Sequence, residues 1–196
     1  MGNLKDKMVF VGGAVAALYA DAAADLELRE TDDIDLTSVD LVDYNKYSQL
    51  LEKLAHIGFH PDPDGHAICS LKFKDISVDL MPAEDGPLGP ANKWYRFGFD
   101  ELWTSMAGEE EIKILSPPCF LATKFEAFND RGKDYRTSHD FEDIIFVLDN
   151  RNTLVDEIKN SRPEIKTFLR SEFNKINESK YRDEFLSVHL DPYIRD

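Results

Sequence analysis

The sequence predicts an α+β protein, with a mixed β-sheet flanked by helices over residues 1–115 and a helical region over residues 116–196 packed on it. Three patterns carry that expectation. Short apolar runs bounded by Gly, Pro or Asp fill the first part, as strands do. After Ser116-Pro117-Pro118 the apolar residues recur at i, i+3, i+4 and i+7, the spacing of amphipathic helices. In Asp33-Ile34-Asp35-Leu36, acid and hydrocarbon alternate with the two-residue period of a strand.

Met8-Val9-Phe10-Val11 reads as a short strand that stops at Gly12-Gly13. The stretch from Ala14 to Ala24 is rich in alanine, the best helix former, so a helix is expected to start at the glycines. Ile34 to Val39 follows as a strand. Tyr44 to Ile57 carries Tyr47, Leu50, Leu51 and Leu54 at helical spacing, with Gly58 as a C-cap. His60-Pro61-Asp62-Pro63-Asp64-Gly65 is turn chemistry. Ala67 to Phe73 and Ile76 to Met81 form an expected hairpin across Lys74-Asp75, followed by a Gly/Pro loop from Pro82 to Pro90. Ile112 to Leu115 is a further strand. Ser116 can then cap a helix whose first turn holds Pro117 and Pro118. Leu121, Phe125 and Phe128 form its stripe. Phe141, Ile144, Ile145 and Leu148 form the next, with Ser138 as N-cap. Leu154 to Ile158, Ile165 to Leu169 and Phe185 to Leu190 read as packing helices.

At 196 residues the chain fits one sizeable domain, or one domain with a helical extension. Its 42% hydrophobic and 31% charged residues are ordinary for a globular protein. The net charge of −15 is not. It argues against duplex DNA or a broad RNA surface as partner, because phosphate contacts dominate such binding. It leaves room for a nucleic-acid end at a local basic rim, for which Lys72, Lys74, Lys93 and Arg96 are candidates, and for a basic protein partner. Cys69 and Cys119 sit in apolar surroundings and read as buried free thiols of a reducing compartment. Met1 to Lys7 lacks the apolar core of a secretory signal, and Asp6 breaks the myristoylation pattern after Gly2. No run approaches the ~18 apolar residues of a membrane span. A cytoplasmic protein without a membrane partner is expected.

The chemistry concentrates at the acids. Asp33 and Asp35 share one strand face, and two carboxylates held that close repel unless a cation lies between them. Hard divalent cations with oxygen ligands, Mg²⁺ above all, suit the pair and also bridge nucleotide phosphates. Asp32 faces the other way by alternation. Asp79, between Val78 and Leu80, is costly to bury without a partner and could complete a three-carboxylate metal site and accept a hydroxyl proton. Gly12 and Gly13 let backbone amides approach an anion at a helix N-terminus. Around the 60–66 turn, His60, Asp62, Asp64 and His66 match no ligand spacing. Trp94, Tyr95 and Trp103 read as cover for a core more readily than as base-stacking platforms. His139 reads as a surface residue.

Gly12-Gly13, then Arg29-x-Thr31-x-Asp33-Ile34-Asp35, then Asp79 on a later strand, resembles the nucleotidyltransferase superfamily with the DNA polymerase β-like catalytic core. Within it the chain is most similar to the AbiEii-like nucleotidyltransferases, which include toxins of toxin–antitoxin systems. That group also carries a helical lysine and a carboxylate-rich helix. Leu121-Ala122-Thr123-Lys124-x-x-Ala127-x-x-x-Arg131 and Ser138-His139-Asp140-Phe141-Glu142-Asp143-Ile144 match that pattern. The resemblance spans roughly residues 8–150. One departure is the nineteen-residue gap between Gly13 and Asp33, longer than usual, with the extra length around residues 21–30.

The resemblance implies a nucleotidyltransferase core and Mg²⁺-dependent transfer of a nucleoside monophosphate from an NTP to a hydroxyl, with release of pyrophosphate. On that reading Asp33 and Asp35 hold two ions. Asp79 binds the second and helps deprotonate the acceptor, and Lys124 neutralises triphosphate oxygens as a point charge. Gly12, Gly13, Arg29, Thr31, Lys124, Asp140 and Asp143 form the nucleotide-binding set, Asp140 and Asp143 either contacting nucleotide or orienting Lys124 or Arg131. The acceptor is left open among a tRNA 3′ end, a protein hydroxyl and a small molecule, as in aminoglycoside-modifying relatives. A cognate antitoxin is an implied partner. The alternative is a non-catalytic domain that keeps the fold to bind nucleotide or a partner, against which the presence of all three acids and the lysine counts.

Overall fold

Val9–Val11 (β1), Asp33–Thr37 (β2), Phe59–Pro61 (β3), Ser70–Phe73 (β4), Ile76–Met81 (β5), Trp103–Ala107 (β6) and Glu110–Ile114 (β7) join in one mixed sheet. Its order is β3-β4-β5-β2-β1-β7-β6. The pairs β2–β5 and β1–β7 are parallel and the rest antiparallel. The computed structural model describes residues 2–21, 31, 33–38, 41, 44–65, 69–86, 89–131 and 134–190. Arg29 and Asp32, the strand end at Val39, the hairpin start at Ala67 and the expected helix beyond Asp21 lie outside them. The chain divides into two compact units, Met1–Leu18 with Leu28–Ser116 and Tyr19–Glu27 with Pro117–Asp196.

In the sheet unit, the helix Tyr44–His56 (α1) turns Tyr47, Leu50 and Leu54 inward. They pack with Leu36, Leu71, Val78 and Leu80 in one buried cluster. Leu36 therefore faces α1, and the two-residue period sends Asp33, Asp35 and Thr37 to the opposite face of β2. Val78 and Leu80 do the same for β5, leaving Asp79 on the acid-bearing face. Cys69 is buried in this cluster, Cys119 is buried as well, and neither is in a disulfide.

Four local features differ from the sequence expectation. The segment after Gly12 is a 3-10 helix, Gly13–Tyr19, rather than an α-helix, the tighter winding that short connecting turns adopt. Phe59–Pro61 is a strand and not part of the turn. It lies at the sheet edge, where proline's missing N–H is tolerated. Trp103–Ala107 forms the other edge, joined to β7 by a two-residue turn at Gly108, whose φ of 63° suits glycine. Its side chains are largely exposed, so little apolar periodicity marks it. The helix Lys93–Gly98 (α2), capped by the Asn92 side chain, buries Trp94 and Tyr95 in the sheet unit.

The second unit is helical: Pro117–Asp130 (α3), His139–Asn150 (α4), Leu154–Asn160 (α5), Pro163–Glu178 (α6) and Arg182–His189 (α7). Every residue of α3 from Pro117 to Phe125 is buried, as in a central helix, with Thr123 and Lys124 its polar members. Ser116 does not cap it. Its buried hydroxyl finds no partner among the described residues, and Pro118 has no N–H to offer a cap. Ser138 does cap α4, accepting from the Phe141 N–H at 3.3 Å. Arg151 grips both Glu157 oxygens at 2.7 Å and donates to the Tyr19 carbonyl at 2.8 Å, which fastens the 19–21 segment to the helices. Its hydrogen bonds to Glu157 hold its pKa above the usual arginine value. No helix among the described residues is long and apolar enough to cross a membrane.

Phe141 is wholly buried, stacked edge-on to Tyr135 and Phe185 at 4.8 and 5.6 Å. Phe141→Ala is expected to destabilise the helical unit by about 3–5 kcal/mol, read as a lowered denaturant midpoint.

Candidate active site

Asp35 and Asp79 face each other across the parallel β2–β5 pair, and Asp33 lies two residues before Asp35 on the same face. Each of the three offers a carboxylate oxygen, and these oxygens all lie within 4.8 Å of one another. All three are half-buried. Such a group of hard oxygen donors is chemically matched to a divalent cation and poorly matched to anything apolar. Its net negative charge makes it an attractor for cations rather than for bare phosphate.

Gly12 explains how Asp35 fits. β1 ends with Val11 opposite Asp35, and the next residue turns away with φ of 74°, a conformation favouring glycine. A Cβ built on Gly12 would stand 1.8 Å from Asp35 Oδ2. The glycine therefore clears the space that the carboxylate occupies. Gly13 begins the seven-residue 3-10 helix. Thr31 lies two residues ahead of β2.

Sequence reading missed the layer behind these acids. Ser70, opposite Asp79 on β4, donates its hydroxyl to Asp79 Oδ1 at 2.5 Å. Asp62, read as a turn residue, donates its N–H to the Ser70 carbonyl and accepts from the Ser77 hydroxyl at 3.2 Å. Only the strand register, invisible in a single sequence, brings these residues together.

Lys124, Asp140 and Asp143 form a separate centre in the helical unit. Lys124 Nζ lies 2.6 Å from Asp143 Oδ2 and 3.2 Å from Asp140 Oδ1. Arg131, its side chain largely exposed, reaches the other Asp140 oxygen at 3.2 Å. With side chains only 5–9% exposed, the lysine and both aspartates are too costly to bury unless paired with one another. Lys124 is thus no snorkelling surface residue. His139 is exposed beside Glu142, as its sequence context suggested. Among the candidate basic residues, Arg96 is paired with Glu84 at 2.9 Å, and Lys74 and Lys93 lie over the Phe73 and Trp94 rings.

The fold has solved counterparts. The antibiotic-resistance factor ANT(2″)-Ia matches in a crystal structure with adenylyl-2″-tobramycin, at 13% identity and TM-score 0.50, over 86% of this chain and 87% of that one. Its solution structure matches at 14% identity and TM-score 0.50, over 87% and 85%. An antigenic nucleotidyltransferase-like protein from Paracoccidioides brasiliensis aligns at 19% identity and TM-score 0.49, over 94% and 85%. No curated protein matches the chain. A family match makes the chain a nucleotidyltransferase. More narrowly, residues 2–190 match the family described as "Nucleotidyl transferase AbiEii toxin, Type IV TA system", and the chain belongs to that family.

Gly12→Ala is expected to destabilise the protein by more than the 1–3 kcal/mol order of backbone strain alone. Gly108→Ala isolates that backbone cost, since φ there is 63°, near that of Gly12, and among the described residues no atom beyond its chain neighbours lies within 4 Å of the added Cβ. Paired denaturant melts measure the difference.

Proposed function

We propose that the chain transfers a nucleoside monophosphate from a Mg²⁺–NTP to a hydroxyl acceptor and releases pyrophosphate. The observation that carries this reading is the convergence of Asp33, Asp35 and Asp79 oxygens within 4.8 Å. The residues fit magnesium. The donors are all carboxylate oxygens, they approach closely enough to share ions, and Gly12 leaves Asp35 its place. Asp33 and Asp35 would hold two ions and Asp79 would share the second. Magnesium, when bound, supplies the charge neutralisation that lets the triphosphate approach and pyrophosphate depart.

The remaining work falls to the chain. Asp79 accepts the proton of the acceptor hydroxyl as its oxygen forms a bond to the α-phosphorus. The bond from that phosphorus to the bridging oxygen breaks, and the electron pair leaves with pyrophosphate. The backbone amides of Gly12 and Gly13, with Thr31 and Arg29, are assigned to nucleotide binding. Lys124 is assigned to triphosphate oxygens, its ammonium kept oriented by Asp140 and Asp143 until nucleotide arrives. The acceptor is a hydroxyl of an RNA 3′ end, a protein or a small molecule. The net charge of −15 supports recognition of a short segment over a long duplex. Membership of a toxin family supports a toxin role with a cognate antitoxin.

The test is incubation with Mg²⁺, each labelled NTP, tRNA and cell extract. Wild type is expected to label one acceptor class, and the Asp33→Ala, Asp35→Ala double variant to lose roughly 10²–10³-fold in rate, the kinetic equivalent of several kcal/mol of charge stabilisation. Equal labelling by both proteins would refute the assignment.

A further inference from the structure

Asp79 carries two duties on the reading above, as metal ligand and as proton acceptor, yet nothing intrinsic to an aspartate fixes its carboxylate plane, because that terminal torsion is broad. The structure supplies the missing restraint from the neighbouring strand. Ser70 stands opposite Asp79 in the antiparallel β4–β5 pair, is 4% exposed, and donates to Asp79 Oδ1 at 2.5 Å. Directly opposed Cβ atoms lie close enough for a hydroxyl on one to reach a carboxylate on the other.

Ser70 is in turn held from behind. A Cβ on Gly65 would stand 2.2 Å from Ser70 Cβ and 2.6 Å from its Oγ. Unlike Gly12, Gly65 has no left-handed backbone, so glycine serves there for space alone. The turn that carries Gly65 is anchored to both strands. Asp62 donates its N–H to the Ser70 carbonyl at 3.0 Å and accepts from the Ser77 hydroxyl on β5. Its Oδ1 accepts from the Asp64 N–H at 3.1 Å, and its carbonyl from the Gly65 N–H at 3.3 Å.

We propose that Ser70 is a positioning residue for Asp79. Its hydroxyl fixes the plane of the carboxylate that meets Asp33 and Asp35, and the 62–65 turn, through Gly65, fixes the hydroxyl. The inference rests on the three acids being metal ligands, and it adds a dependence of the metal site on a turn that holds no ligand. Hydrogen-bond partners behind a ligand commonly matter 10–100-fold for metal affinity.

The test uses the full chain with Mn²⁺ alone, free ion being counted by electron paramagnetic resonance, so no turnover is involved. Ser70→Ala removes the hydroxyl and keeps the Cβ. Gly65→Ala keeps the hydroxyl and displaces it. Both are expected to raise the half-saturating Mn²⁺ concentration, Ser70→Ala by about tenfold, at a temperature where circular dichroism shows both folded. Agreement of two variants that reach the carboxylate by different routes separates positioning from general loosening. Ser70→Ala binding within twofold of wild type, while Asp79→Asn binds weakly, would overturn the role of Ser70 and spare the metal site. Asp79→Asn binding as wild type does would overturn both.

Discussion

Three carboxylates brought within 4.8 Å of one another on one sheet face are the constraint around which the sheet unit is arranged. Like charges so close raise the energy of the folded chain unless a cation joins them. The fold accepts that cost by placing the acids at the junction of two parallel strands whose opposite face is hydrocarbon. Leu36, Val78 and Leu80 press against α1 and hold β2 and β5 in register. A slip of one residue would send the acids into that core and the leucines out. Register is therefore protected by the same burial that stabilises the unit, and the core sets which strand positions the acids occupy.

Around the acids the backbone is shaped by what must be left out. Gly12 yields its side-chain volume to Asp35, and Gly65 yields its own to Ser70. The helical unit handles charge by a different route. Lys124, Asp140 and Asp143 neutralise one another inside α3 and α4, and the exposed Arg131 adds a cation to the same network. The sheet unit thus gathers three carboxylates on one face, whereas the helical unit buries a lysine that its aspartates satisfy.

Much of this was legible in the sequence because it follows from short-range periodicity. Alternation puts Asp33 and Asp35 on one face, and an acid between Val78 and Leu80 marks Asp79 as unusual. Helical spacing identifies the buried face of α1 and most of that of α4, although Leu148, counted in the latter, is exposed. In α3 burial runs all round where the spacing marks a single stripe. What escaped notice depends on pairing between distant segments. Phe59–Pro61 and Trp103–Ala107 are edge strands that bury little, so neither shows a strong apolar pattern, and Pro61 reads locally as a turn. The β2–β5 register, Ser70 behind Asp79 and the partners of Lys124 all require long-range contacts that no local window contains. The 3-10 winding after Gly12 was likewise hidden, because alanine content favours helix without distinguishing its pitch.

Thermal melting across a Mg²⁺ titration tests most directly whether the three acids form a divalent-cation site. A ligand that binds only the folded state stabilises it by an amount that grows with concentration, about 2.7 kcal/mol at a hundred times the dissociation constant. The melting temperature is expected to climb with Mg²⁺ in the wild type and to stay flat in the Asp33→Ala, Asp35→Ala variant. A flat response in the wild type, or the same climb in both proteins, would contradict such a site.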